Sequence, residues 1–254
     1  MMKKFIMISA ILSFWAVYYV QNHMNTSPKE EIAEESESTD VNTKKAQFFD
    51  ELNIGIKKEN ERVEAERSQL LEIKTSLSDN DISKKQINMA TGLAELYSNE
   101  IPEAGIDQAW VEEMLLRVNV LPEALVMIQA ANESAWGTSR FAEEGNNFFG
   151  QWCYTEGCGL VPLQRVEGAT HEVAKFDSPQ ESINAYFMNV NTNSAYEKLR
   201  EIRAKLALEN KDLKSEETAI ALTNGLLSYS ERGQAYVNDL QTMIHHNTAY
   251  WTEK

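Results

Sequence analysis

Cysteine and histidine are scarce in this chain: two of the first and four of the second in 254 residues. A structural metal site wants several such ligands close together. The histidines, two of them adjacent at His245 and His246, supply no such cluster, so neither a metal nor a cofactor is expected. Basic charge is also short, with 24 Lys and Arg against 39 Asp and Glu and a net charge of −15. That balance argues against a nucleic-acid partner, because phosphate binding needs a basic face. Internal repeats are absent. The hydrophobic share, 43%, is ordinary and permits a sizeable core.

Long apolar runs are absent except at the N-terminus. There, Lys3-Lys4 precede Phe5 to Val20, in which Ser9 and Ser13 are the only polar residues. This run is shorter than the roughly 20 residues of a typical membrane span and closer to a signal-peptide core. Val20-Gln21-Asn22-His23 is a poor cleavage site. Residues 1–24 are therefore expected to be a signal anchor left uncut, or a signal peptide that is released. Either way the rest of the chain would lie in the periplasm, outside the cytoplasm. The two cysteines agree: Cys153-Tyr154-Thr155-Glu156-Gly157-Cys158 permits a small disulfide-closed loop in an oxidising compartment.

Residues 25–43 are rich in Glu, Ser and Thr and show no apolar period. They are expected to be a disordered acidic linker. From Lys44 a long helix is expected. Phe49, Ile56, Val63, Leu70 and Leu77 recur every seven residues, but Glu59 and Glu66 interrupt the companion stripe. That interruption favours a helix packing on its own domain over a coiled coil. Helical patterns resume at 84–98 and 106–118, which completes an expected N-terminal helical region, 44–118. Residues 119–250 are expected to form the main folded domain.

At its centre runs Leu121 to Gly137, almost wholly apolar until Glu133. Pro122 suits its first turn and Gly137 its C-terminal cap. Apolar surroundings and the negative end of the helix both disfavour the Glu133 anion, so a raised pKa is expected. A carboxylic acid kept protonated near neutral pH can donate to a leaving oxygen, the first need of glycosidic cleavage. A surface Glu in a frayed last turn is the plain alternative. Nearby Trp136, Phe148, Phe149 and Trp152 are core aromatics or, for one or two of them, platforms for sugar rings.

A short helix is expected at 139–144 and a turn at Asn146-Asn147. Leu160 to Phe176 reads as a hairpin turning at Glu167-Gly168. Ser178, Pro179 and Glu181 then spell a helix start with a capping box. Further helices fit 195–208, 215–227 and 236–246. The expected fold class is mainly α (α+β), a helical domain with a long N-terminal helix and a small inserted β-hairpin lobe, leaving a cleft between two lobes.

The stretch Ala130-Ala131-Asn132-Glu133-Ser134-Ala135-Trp136-Gly137, followed by Gly145-Asn146-Asn147-Phe148-Phe149-Gly150-Gln151-Trp152, resembles the glucosaminidase domain of bacterial cell-wall hydrolases. The similarity is strongest to its Bax-type branch. It extends to Gly159-Leu160-Val161-Pro162-Leu163, Thr170-His171-Glu172-Val173 and Tyr229 to Val237. The resemblance implies a lysozyme-like fold and cleavage of the β-1,4 bond of peptidoglycan after N-acetylglucosamine. It implies that Glu133 is the general acid, and that Tyr229 and Tyr236 are cleft tyrosines that position substrate. Trp136, Asn147, Phe149 and Trp152 are the other expected substrate contacts. The family's second carboxylate comes from the hairpin lobe. This hairpin offers Glu167 and Glu172, of which Glu172, beside the second strand, is preferred. Substrate assistance by the N-acetyl group, or a water held by Tyr229, stays open.

Peptidoglycan glycan strands are thus the expected partner, with the inner membrane reached through residues 1–24. Two other functions stand beside the glucosaminidase. A lytic transglycosylase-type muramidase needs one catalytic Glu, although Asn146-Asn147-Phe148-Phe149 is not that family's pattern. A non-catalytic peptidoglycan-binding envelope protein would keep the cleft without turnover.

Overall fold

The computed structural model describes residues 28–163, 168 and 170–252. The expected signal segment, 1–24, and Glu167 lie outside the described residues. Among those described, no helix is long and apolar enough to cross a membrane. The chain divides into two compact units, 1–47 and 48–254.

Helix α1 (Pro28–Ser78) runs from the first unit into the second. Of the stretch 25–43 expected as a linker, residues 25–27 lie outside the described residues and the backbone is helical from Pro28. Glu, Lys and Ala are strong helix formers, and proline suits a first turn. The missing apolar period marks a stretch without a core-facing stripe, which is a different thing from a stretch without a helix. Lys44 pairs with Asp40 one turn earlier at 2.6 Å, a contact worth a few tenths of a kcal/mol.

In the second unit the seven-residue stripe is core. Phe49, Leu52, Ile56, Val63, Leu70 and Ile73 of α1 are all essentially inaccessible. The two interrupting glutamates turn inward and are satisfied there. Glu59 accepts from Arg62 Nε (2.8 Å), Gln180 Nε2 (2.7 Å) and Asn184 Nδ2 (2.9 Å). Glu66 accepts from Arg62 and, at 2.5 Å, from the Tyr97 hydroxyl. A buried carboxylate is tolerated only with such partners. The helix thus packs on its own domain.

Helices α2 (Lys84–Leu96), α3 (Gln108–Arg117) and α4 (Glu123–Ser134) follow. Ser83 and Gln86 form a full capping box at the start of α2. Nine of the twelve residues of α4 are buried, Gln129 among them, so it is the central helix its composition predicts. A single hydrophobic core takes in Phe49 to Ile73, Leu125 to Ala131 and residues as far as Ile244. The expected division between 118 and 119 falls inside that core.

The loop leading into α4 is pinned by Arg203, which is wholly buried. Its guanidinium donates to the carbonyls of Leu116, Arg117, Asn119 and Val120 and to Asn191 Oδ1. Two of these carbonyls end α3, where the helix dipole is negative and favours a cation.

Helix α5 (Arg140–Gly145) leads into the β lobe. Strands β1 (Trp152–Cys153), β2 (Gly159–Leu160) and β3 (Glu172–Ala174) form an antiparallel sheet in the order β1-β3-β2. Gly159 faces Ala174 and Leu160 faces Val173, so the expected hairpin exists. It is shorter than Leu160–Phe176, and β1 adds a third strand on the other side of β3. The Cys153–Cys158 disulfide, with Cα atoms 6.2 Å apart, closes the β1–β2 connection. Gly159 is required there, because a Cβ would meet the Val173 carbonyl oxygen at 2.0 Å.

The remaining elements are α6 (Pro179–Thr192), a 3-10 turn (Ser194–Tyr196), α7 (Glu197–Leu208), α8 (Glu216–Thr223), a second 3-10 turn (Asn224–Leu226), α9 (Gln234–His246) and α10 (Ala249–Thr252). Ser178 caps α6 as expected, but Glu181 reaches back to the Asp177 amide at 3.0 Å, one residue earlier than a capping box requires. The architecture is mainly α with a small three-stranded lobe, the lysozyme-like arrangement.

Candidate active site

A cleft of about 870 Å³ opens between the helical body and the β lobe. Its walls come from the end of α4, the turn 149–152, β3, α6 and the segment 229–236. Glu133 lies in the wall as the penultimate residue of α4. Among the described residues it is the only carboxylate lining the cleft, and Arg232 the only cation there.

The helix ends abruptly just beyond Glu133. Ala135 (φ 51°) and Trp136 (φ 59°) are left-handed, and Gly137 (φ 79°) follows. The cap is therefore Ala135, two residues before the expected Gly137. Each non-glycine residue in this region stores about 1 kcal/mol, and such strain collects at functional sites. Ser134 stabilises the turn, with its Oγ donating to Ala130 O and accepting from Gly137 N. The sharp stop leaves Glu133 at an open helix end, facing the cleft.

Glu133 Oε1 accepts from the Tyr236 hydroxyl at 2.8 Å and from Asn132 Nδ2 at 3.1 Å. No hydrogen bond reaches Oε2 among the described residues. Tyr236 in turn accepts from Gln129 Nε2 at 3.1 Å, and Gln129 Oε1 accepts from the Tyr186 hydroxyl. Four phenols ring the carboxylate. Tyr229 stacks on Tyr236 with centroids 5.5 Å apart and tilts against Tyr196 at 5.7 Å. Burial, and then the charge of Glu133, push the Tyr229 hydroxyl up to about 12. Burial first and neighbouring charge second likewise raise Tyr186, Tyr196 and Tyr236 above the ordinary tyrosine value. All four stay protonated at neutral pH and act as neutral donors.

The other expected site residues divide. Phe149 is buried and stacks on Tyr186, with centroids 4.2 Å apart, to form part of the cleft wall. Trp152 lines the cleft, is 57% exposed and stacks on His171 at 4.2 Å. Its outer face is available to an apolar ligand surface. Trp136 does not line the cleft. It packs edge-on against Phe48 and Phe49 because the left-handed turn swings it back to the core. Asn147 is buried, donates to the Gln151 and Ala174 carbonyls and accepts from the Phe149 and Gln151 amides. It shapes the turn that carries Phe149 and Trp152 and is absent from the cleft surface. Neither side chain is among those that line the cleft.

Glu172 also sits apart from the cleft. Its side chain is 5% exposed, and its two oxygens accept from the amides of Gly157 (3.1 Å) and Gly159 (2.8 Å). In a strand, successive side chains point to opposite faces. Glu172 points under the disulfide loop, outside the cleft lining. Sequence reasoning misses Gln129 and Tyr186, whose partners lie 107 and 57 residues away. A buried glutamine one turn before Glu133 is the only local signal.

The fold is that of a lysozyme-like domain, and among the described residues its cleft presents one carboxylate, at a strained helix end beside aromatic rings. The family described as mannosyl-glycoprotein endo-beta-N-acetylglucosaminidase matches residues 108–249, more than half of the chain, and the chain belongs to this Glucosaminidase family. Over 134 residues it is 37% identical to Protein bax of Escherichia coli strain K12, a match covering 53% of this chain and 46% of that protein. It thus spans about half the length of that relative. A type VI secretion system effector–immunity complex from Pseudomonas protegens aligns over 51% of this chain and 79% of its own at 21% identity, with a TM-score of 0.31, a likeness too slight to bear on the fold.

Proposed function

We propose that the protein hydrolyses the β-1,4 bond after N-acetylglucosamine in peptidoglycan, in the periplasm, with Glu133 as general acid. The observation carrying this reading is Glu133, the one carboxylate that lines the cleft among the described residues, held through Oε1 by Tyr236 and Asn132. With Oε1 committed as an acceptor, the transferable proton belongs on Oε2. Glu133 gives that proton to the glycosidic oxygen as the C1–O bond breaks and its electron pair leaves with the oxygen. The positive charge that develops on the sugar ring faces the Glu133 carboxylate, a stabilisation that grows toward the transition state.

C1 then needs a nucleophile. Among the described residues no second carboxylate lines the cleft, and Glu172 is occupied by two amides. This favours the 2-acetamido carbonyl oxygen of the sugar as the group that adds to C1, closing an oxazolinium ring that water then opens by adding to C1 as the Glu133 carboxylate takes its proton. The other route is direct addition of a water beside Tyr229, its proton passing to solvent. Trp152 offers a stacking platform and Phe149 a wall for the sugar rings.

The same observation favours one alternative. A lytic transglycosylase also works with one acid, and would close the glycan on its own C6 hydroxyl. Mass spectrometry of digested peptidoglycan separates the two. Reducing N-acetylglucosamine supports the hydrolase, and anhydro-muramic ends support the transglycosylase. Loss of all cleavage in a folded Glu133→Gln variant supports both, and unchanged cleavage overturns both.

A further inference from the structure

We propose that Gln129 is a positioning residue that fixes the direction of the Tyr236 hydroxyl and so keeps Glu133 Oε1 an acceptor. This rests on the reading of Glu133 as the acid. Gln129 is 0% exposed and lies outside the cleft lining, so it acts on substrate only through its neighbours.

The number of available protons sets the direction. A phenol has one proton to donate, and a glutamine amide has one accepting and one donating end. The Tyr186 hydroxyl donates to Gln129 Oε1. That commits the amide's acceptor end and turns Nε2 toward Tyr236. The Tyr236 oxygen is then already an acceptor, and its single proton goes to Glu133 Oε1. Reversing the amide would set its NH2 against Tyr186 and its carbonyl against Tyr236. The Tyr236 proton would then turn to Gln129, and Glu133 would lose its donor. The chain Tyr186–Gln129–Tyr236–Glu133 therefore has one direction, set three groups away from the reacting atoms. Its members come from α6, α4 and α9, so it also ties the three helices that must keep register for Glu133 to face the cleft.

Replacing Gln129 by a glutamate tests the direction with little change in shape. The introduced carboxylate, when ionised, is acceptor-only, so it takes the Tyr236 proton for itself. When protonated it can donate to Tyr236 and restore the native direction. The titratable groups around it are Glu133 on its own helix, Tyr186 on α6, Tyr236 on α9 and, one ring further, Tyr229 and Tyr196. The tyrosines stay protonated across the acid range and the parent carries the same Glu133, so recovery relative to the parent on acidification reports the introduced carboxylate.

The experiment measures kcat and KM on soluble peptidoglycan glycans for Gln129→Glu and Gln129→Leu, each alone and combined with Tyr236→Phe. Gln129→Glu is expected to lower kcat about tenfold at neutral pH, less than the roughly 100-fold or more that loss of the proton donor itself brings, with KM little changed. Its activity relative to the parent should recover on mild acidification. Either Gln129 substitution should have little further effect once Tyr236 is replaced by Phe, because the two act in series. Full kcat in Gln129→Glu, or losses that multiply in the double variants, would overturn the proposal. If Gln129→Glu does not fold, Gln129→Leu and Tyr186→Phe supply the same cycle with Tyr236→Phe. If the parent cleaves no glycan, the glucosaminidase reading fails by itself. The direction is then read from the 13C signal of Tyr236 in protein labelled at the tyrosine ζ-carbon. Tyr186→Phe should move that signal in the parent but not in a Gln129→Leu background, and equal movement in both would overturn the relay.

Discussion

Replacing Glu172 by Gln separates a structural carboxylate from a catalytic one. The parent side chain receives two backbone hydrogen bonds, at 3.1 and 2.8 Å, inside the disulfide loop. An amide keeps one acceptor, so one of the two glycine N–H groups must face an NH2 donor. Losing a hydrogen bond to a charged group costs about 1.5–3 kcal/mol. For a folded unit of this size each kcal/mol lowers the melting temperature by about 2–4 °C, giving an expected drop of about 3–12 °C. Catalysis should barely respond, with kcat within about threefold of the parent at a temperature where both are folded. A catalytic carboxylate at this place would show a loss of about 100-fold or more. Differential scanning calorimetry and a glycan-release assay on the same preparation give both numbers. A variant as stable as the parent but nearly inactive would refute the assignment and restore Glu172 as the second catalytic group.

Other outcomes follow from the same geometry. Trp152→Ala should raise KM for long glycans several-fold and leave the melting temperature nearly unchanged, since the ring is largely exposed and its partner is His171. Gly225→Ala should destabilise the fold by about 1–3 kcal/mol, as overpacking does, because its Cβ would lie 2.4 Å from the Leu199 Cα. Chemical denaturation reads that change. Stability should also fall in alkali. Tyr229 titrates near 10 in the unfolded chain and near 12 in the fold, so its contribution is complete below the lower value and is lost as pH rises through the upper one. Tyr229→Phe should flatten that part of the stability–pH curve, as followed by urea unfolding.

Much of the helical framework is legible in the sequence because local chemistry decides it. The apolar stripe of α1, the all-round apolar α4, the Ser178 cap and the cysteine pair each depend on spacings within a few residues. Where sequence and structure part, the cause is a distant partner or a single turn. Residues 28–43 look like a linker because they lack an apolar period, which speaks to burial and says nothing against a helix. Trp136 looks like a cleft residue because its left-handed backbone, which redirects it to Phe48 and Phe49, has no signature in an Ala-Trp-Gly stretch. Asn147 and Glu172 are polar residues near the right place in the chain, but their hydrogen bonds go to backbone groups of the β lobe. Glu133 is legible through its apolar helix. Its supporting network is not, since Tyr186, Gln129 and Tyr236 meet only after three helices pack.

The role of Glu133 is decided by digesting purified peptidoglycan with the parent protein and with Glu133→Gln, and identifying the new chain ends by mass spectrometry. Reducing N-acetylglucosamine ends are expected from the parent and no new ends from the variant, the two proteins having matching melting curves. New ends released by Glu133→Gln at the parent's rate would contradict the assignment of Glu133 as the acid.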